Sequence, residues 1–128
     1  MPCARPFAFI LPALPGGGGT AIIAGSHALT ARLARECGDG RAKTLRKAMK
    51  GHPWLDRLMS AIGTADQRIE EFMTAGWVDG HEELRVVELT GDPGDVLIFH
   101  PGTLHAPCPN VNATPRLMVT ATISARPA

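Results

Sequence analysis

Cysteine is scarce in this chain: Cys3, Cys37 and Cys108 are odd in number, lie far apart and form no CxxC pair. That pattern removes disulfide scaffolds and the usual zinc and dithiol motifs from consideration, and a reducing, cytoplasmic setting is the natural expectation. An excess of one charge is missing too. The 13 basic and 12 acidic side chains leave +1, so no global field draws the protein to nucleic acid or to an anionic membrane surface. Long apolar runs are absent: the start, MPCARPFAFILPALPGGGG, is broken by Pro6, Pro12 and Pro15, too short to span a bilayer and poor as a signal peptide. Aromatics are few, four phenylalanines and two tryptophans against 14 glycines and 11 prolines, which promises many tight turns. What is present is ordinary globular material. With 128 residues, 45% hydrophobic and 20% charged, the chain suits one domain, 1–128, with a real core.

The order of elements reads as strands, a helical insert, then strands. Phe7 to Leu11 and Thr20 to Ala24 are short apolar runs bounded by Pro and Gly, the pattern of buried strands. Between them Gly16 to Gly19 is a loop free to take positive φ or to lie close against other backbone. Leu29, Leu33 and Cys37 fall on one helical face before Gly38-Asp39-Gly40. Pro53 suits a first helical turn ahead of Trp54, Leu55 and Leu58, and Thr64 with Gln67 spells a capping box for a helix ending at Gly76. The insert therefore covers about 27–76. Leu84 to Val87, Val96 to Phe99 and Leu117 to Ile123 then read as three strands, the last one half-buried by its alternation.

The chemistry concentrates in Gly91 to Arg116, GDPGDVLIFHPGTLHAPCPNVNATPR. His105 follows one strand and Arg116 opens the next, so a hairpin can aim both into one cavity. An imidazole that binds metal beside a guanidinium that clamps a carboxylate is the chemistry such a pair suits. On residues alone, His105 reads first as a loop histidine bonded to a carbonyl, while Arg116, whose plainer role is the partner of a surface carboxylate, opens an apolar strand and so calls for a specific anion. His100, wedged between Phe99 and Pro101, reads as the turn at a strand end, and Asn110 as the residue that fixes the loop. Ser26 and His27 read as capping or orienting the helix that follows them.

The segments GGTAIIAGSH (Gly18 to His27) and GDVLIFHPGTLHAPCPN (Gly94 to Asn110), followed by Arg116, resemble the phytanoyl-CoA dioxygenase family of Fe(II)- and 2-oxoglutarate-dependent oxygenases. The resemblance covers most of the chain, with the helical middle the least distinctive part. It implies a mainly β fold with a helical insert, a double-stranded β-helix (jelly roll, cupin-like), incomplete at its amino terminus. It also implies Fe(II) as cofactor and 2-oxoglutarate as co-substrate. Carried over residue by residue, the distal metal-binding histidine is His105 and the arginine for the co-substrate's far carboxylate is Arg116, with Asn110, Ser26 and His27 in support. The family's other two ligands form an HxD motif, and this chain has none. Its one HxE, His81 and Glu83, stands in a charged loop after Gly80 and out of the family's order. Three explanations stay open: a carboxy-terminal portion of a longer enzyme, which the position of Met1 favours; a truncation that has lost catalysis; or completion by another chain or by His81 and Glu83.

Two other motifs lead nowhere. Gly16 to Gly19 lacks the GK[ST] ending of a phosphate loop, and the sequon at Asn112-Ala-Thr114 is followed by Pro115. The basic run Arg41, Lys43, Arg46, Lys47 and Lys50 reads as a solvated helix face, with attraction of an anionic substrate as the alternative. The expected function is a hydroxylase of a small-molecule substrate, with no nucleic-acid or membrane partner. The rival is a non-catalytic jelly-roll binding module that self-associates through an exposed sheet edge.

Overall fold

The structure is a computed structural model that describes residues 2–39 and 41–126, with only the backbone of residues 2 and 3. The chain forms β1 (Pro2–Phe9), β2 (Thr20–Ala24), α1 (Ser26–Cys37), α2 (Ala42–Lys50), α3 (Pro53–Met59) and α4 (Ala65–Arg68), the last continuing as a π-helix (Ile69–Ala75). It then forms β3 (Trp77–Val78), β4 (Glu83–Leu89), β5 (Val96–Phe99), β6 (His105–Pro107), β7 (Met118–Thr120) and β8 (Ile123–Ser124). The strands make two antiparallel sheets, one ordered β5-β1-β7 with β8 also on β1, the other β3-β4-β2-β6. Two compact units result: Met1–Ile22 with Val87–Ala128, and Ile23–Val86.

In the first unit β1 is central. It pairs with β5 in the register Arg5↔Phe99, Phe7↔Leu97 and Ala8↔Val96, and with β7 through Phe7↔Thr120, Ala8↔Val119 and Phe9↔Met118. Alternation therefore puts Arg5, Phe7 and Phe9 on one face with Leu97, Phe99 and Met118. Phe9 is fully buried, and Gly91 is what admits it, because a Cβ there would come within 2.6 Å of its ring. The opposite face is also apolar but open: Val96, Ile98 and Val119 are 54%, 65% and 56% exposed.

In the second unit, Leu29 and Leu33 bury one stripe of α1, as their spacing predicts. Gly25 starts that helix at φ 82°, and a Cβ there would overlap the Glu83 carbonyl oxygen, so only glycine serves. Pro53 does occupy the first turn of α3, where its missing N–H is no loss. Thr64 and Gln67 do cap each other's backbone at the start of α4. Trp54 and Phe72 meet edge to face at 5.4 Å within a core that also holds Leu55 and Leu84.

Several expectations need correction. Helical segments hold at least as many residues as strands, so the fold is mixed α/β, not mainly β, and among the described residues no closed barrel forms. The helix expected to run evenly to Gly76 widens to π geometry from Ile69, with Gly76 N–H bonded to the Glu71 carbonyl at 3.1 Å; apolar periodicity does not separate the two. The strand expected over Leu117 to Ile123 is split into β7 and β8. Pro6 of β1 has no N–H to continue that ladder and accepts from Ala121 N–H instead. The first strand ends at Phe9 and not at Leu11, because Ile10 and Leu11 both turn their N–H groups to the Leu117 carbonyl.

Candidate functional site

His105 reaches its place through a turn. After β5, Thr103 N–H bonds to the His100 carbonyl at 2.9 Å and closes the His100-Pro101-Gly102-Thr103 reversal. The chain then enters β6, which pairs with β2 through Ile22↔His105, Ala21↔Ala106 and Thr20↔Pro107. His105 was expected on a loop; it is the first residue of a short strand, and pairing with β2 limits its ring more than a loop would. Two phenylalanines hold that ring. Phe99 lies 5.2 Å from it and Phe7 6.2 Å, and the two phenyl rings stack on each other at 5.0 Å.

The hydrogen bonds separate the two histidines of this segment. His105 Nδ1 lies 2.9 Å from the Thr103 carbonyl oxygen. A carbonyl only accepts, so Nδ1 carries the proton and Nε2 presents its lone pair, the arrangement found in metal-binding histidines. His100 is the reverse: its Nδ1 accepts from Gly102 N–H at 2.9 Å, which puts the neutral ring's proton on Nε2.

Arg116 lies two residues ahead of β7, not at the opening of a strand. It is exposed, its Nη1 touches the Met118 sulfur at 3.4 Å, and among the described residues no carboxylate pairs with it. Its charge is felt by Cys108. Burial pushes the Cys108 thiol up, the Glu88 carboxylate adds to that, and Arg116 opposes both.

The segment between His105 and Arg116 is held by Asn110. Its Oδ1 accepts from Asn112 N–H and its Nδ2 donates to the Thr114 carbonyl, both at 2.9 Å. Asn110 also bridges to Gly17, and Val111 N–H reaches the Gly16 carbonyl at 2.8 Å. The glycine run makes this approach possible: Gly18 sits at φ 76°, and a Cβ on it would come within 2.7 Å of Asn110 Cβ. Glu88 completes the link by accepting from Gly16 N–H at 2.9 Å.

Thus His105, Asn110 and Arg116 belong to the first unit. Ser26 and His27 belong to the second, where neither caps α1. The N-cap is Gly25 without a side-chain bond, and the Ser26 hydroxyl donates to the Ile23 carbonyl at 2.6 Å. His81 and Glu83 are exposed residues of the second unit. Next to them Asp79 accepts from the N–H groups of His81 and Glu82, and these bonds hold its carboxyl down at about 2. The basic residues of the Arg41 to Lys50 run are all exposed. Among the described residues no group of three His, Cys, Asp or Glu comes together to hold a metal ion. Sequence alone places Phe7 and Phe99 on two separate strands and does not point to them as neighbours of His105; the register of β1 against β5 is the signal that joins them.

A family model, phytanoyl-CoA dioxygenase, matches residues 12–118. The chain belongs to the phytanoyl-CoA dioxygenase family. Neither a curated protein nor a solved structure matches it. Membership makes an Fe(II)- and 2-oxoglutarate-dependent oxygenase the reading to test, and the donor set answers only in part. A facial triad needs two imidazoles and a carboxylate. His105 has the tautomer of one ligand, the chain has no HxD, and the described residues bring no second and third donor to it. As they stand, these residues do not fit a complete iron centre.

Proposed function

We propose that this chain carries the carboxy-terminal half of an Fe(II)- and 2-oxoglutarate-dependent dioxygenase site, on a jelly-roll domain of the phytanoyl-CoA dioxygenase type. His105 is its metal-binding imidazole and Arg116 its partner for the far carboxylate of 2-oxoglutarate. The other two ligands come from outside these 128 residues. The observation that carries the reading is the His105 Nδ1 bond to Thr103, which commits Nε2 to accept a metal while Phe7 and Phe99 fix the ring. Arg116 supports it by having no carboxylate partner among the described residues, which leaves its guanidinium fork for a ligand. A small-molecule substrate follows from the family. The free thiols of Cys37 and Cys108 agree with a reducing, cytoplasmic location, and among the described residues no helix is long and apolar enough to cross a membrane.

The second reading is a binding module without catalysis, favoured by the lack of a three-donor cluster among the described residues. Anaerobic titration of the protein with iron(II) and 2-oxoglutarate separates the two. A saturable charge-transfer band that disappears in His105→Ala supports the half-site completed by a further copy or segment. A folded protein that gives no band, even with an HxD-bearing segment supplied in trans, sinks it in favour of the module.

A further inference from the structure

Arg5 stands out among the polar groups of the first unit. Arg5 lies on β1 with Phe99 as its cross-strand partner, on the same face as Phe7. Both of those rings pack on His105, so Arg5 rises from the sheet face that carries the candidate site. Its Nε is shut off from solvent and has no hydrogen-bond partner among the described residues. Among the described residues no carboxylate pairs with its guanidinium either. Arg68, Arg32 and Arg57 show what satisfaction looks like: Arg68 reaches the carbonyls of Leu58, Ser60 and Ile62, Arg32 pairs with Glu36 and Glu82, and Arg57 pairs with Glu71 and donates to the Ile62 carbonyl.

An arginine cannot escape this cost by losing its proton, and a dry charged N–H without an acceptor is expensive enough to be rare. We propose that Arg5 binds an oxyanion, a carboxylate or phosphate group of the substrate, beside His105. The residue as a whole is half-buried, so an oxyanion meets the guanidinium at its outer Nη–H groups, and a shift of the side chain brings Nε–H to it. The Nε–H and a neighbouring Nη–H then form a planar fork that matches two oxygens of such a group, and Phe7 and Phe99 offer an apolar wall to whatever the anion is attached to. That this anion belongs to the substrate rests on His105 being the site; that Arg5 binds an oxyanion does not.

The test uses the metal-free 128-residue protein and reads the Arg5 Nε–H resonance by nitrogen-edited NMR during titration with acetate, with inorganic phosphate, and with chloride as the ionic-strength control. The expected result is a saturable shift with acetate, phosphate or both, absent with chloride; acetate alone identifies a carboxylate ligand and phosphate alone a phosphate group. In Arg5→Lys, which keeps the charge and loses the fork, the midpoint read from the Phe99 amide should weaken about tenfold or more. Because the Arg5 readout is made without metal, it is independent of the iron(II)/2-oxoglutarate band, so loss of that band with the oxyanion shift kept and loss of the shift with the band kept tell failure of the metal reading from failure of this one. An Arg5 resonance unmoved by both oxyanions overturns the proposal, and this needs only the unmutated protein. So does a midpoint unchanged in a folded Arg5→Lys.

Discussion

The proton on His105 Nδ1 is directed at the carbonyl of Thr103, 2.9 Å away, while five residues earlier His100 uses its own Nδ1 to accept from Gly102. One short segment thus holds two imidazoles in opposite tautomers, and of the two His105 is the one whose neutral ring keeps its lone pair on Nε2.

The consequence for metal binding is direct. With an HxD-bearing segment supplied in trans, His105→Ala should abolish the iron(II)/2-oxoglutarate charge-transfer band, and His100→Ala should retain it with a changed midpoint at most, both followed by anaerobic absorbance titration. Equal loss in two folded variants would remove the distinction drawn from their hydrogen bonds.

Arg116→Ala should raise the 2-oxoglutarate concentration needed for half-saturation of that band by about tenfold or more, the cost of a lost charge-assisted bidentate contact. Arg116→Lys, which keeps the charge without the fork, should fall between the two. An unchanged requirement takes Arg116 out of the role.

Gly18→Ala meets two penalties at once, a φ of +76° and a Cβ 2.7 Å from Asn110 Cβ. Gly38→Ala meets only the first, since its φ is +70° and nothing lies within 4 Å. Chemical denaturation should show about 1 kcal/mol lost at Gly38 and about 2–3 kcal/mol at Gly18. Equal losses would mean that Asn110 yields easily and that the glycine run does not hold the loop before Arg116.

The carboxyl of Asp79 is held at about 2, below its ordinary 3.8, by the N–H groups of His81 and Glu82. A group whose folded value is depressed adds stability that is complete above its unfolded value and lost as pH falls through the folded one. The contribution of Asp79 should therefore be present above about pH 4 and disappear toward pH 2. Comparison of Asp79→Ala with the unmutated protein across that window checks it: the stability difference should shrink as pH falls, and a difference independent of pH would assign the effect to something other than the carboxylate.

The helical insert was the most legible part of the chain, because its signals are local. Gly38, Pro53, Thr64 with Gln67, and Gly76 each mark an end by backbone chemistry, and α1, α3 and α4 begin or stop there. Strands were legible where an apolar run had clear boundaries, as in β2 and β5, and illegible where pairing decides, as in β6 and the split between β7 and β8. His105 and Arg116 could be singled out only through a family pattern. The groups around His105 could not, because Phe7 and Phe99 stand ninety-two positions apart and meet only through the register of β1 on β5. Ser26 misled for a related reason: its hydroxyl found the Ile23 carbonyl behind it, a competition between donors that sequence does not decide.

The open face of the first sheet, with Val96, Ile98 and Val119 more than half exposed, bears on how the protein behaves in the tube. Salts that are excluded from protein surfaces make water a poorer solvent for such a face, while urea wets it. Sulfate should therefore bring this protein out of solution early, and a dilute, low-sulfate buffer is where it should be kept.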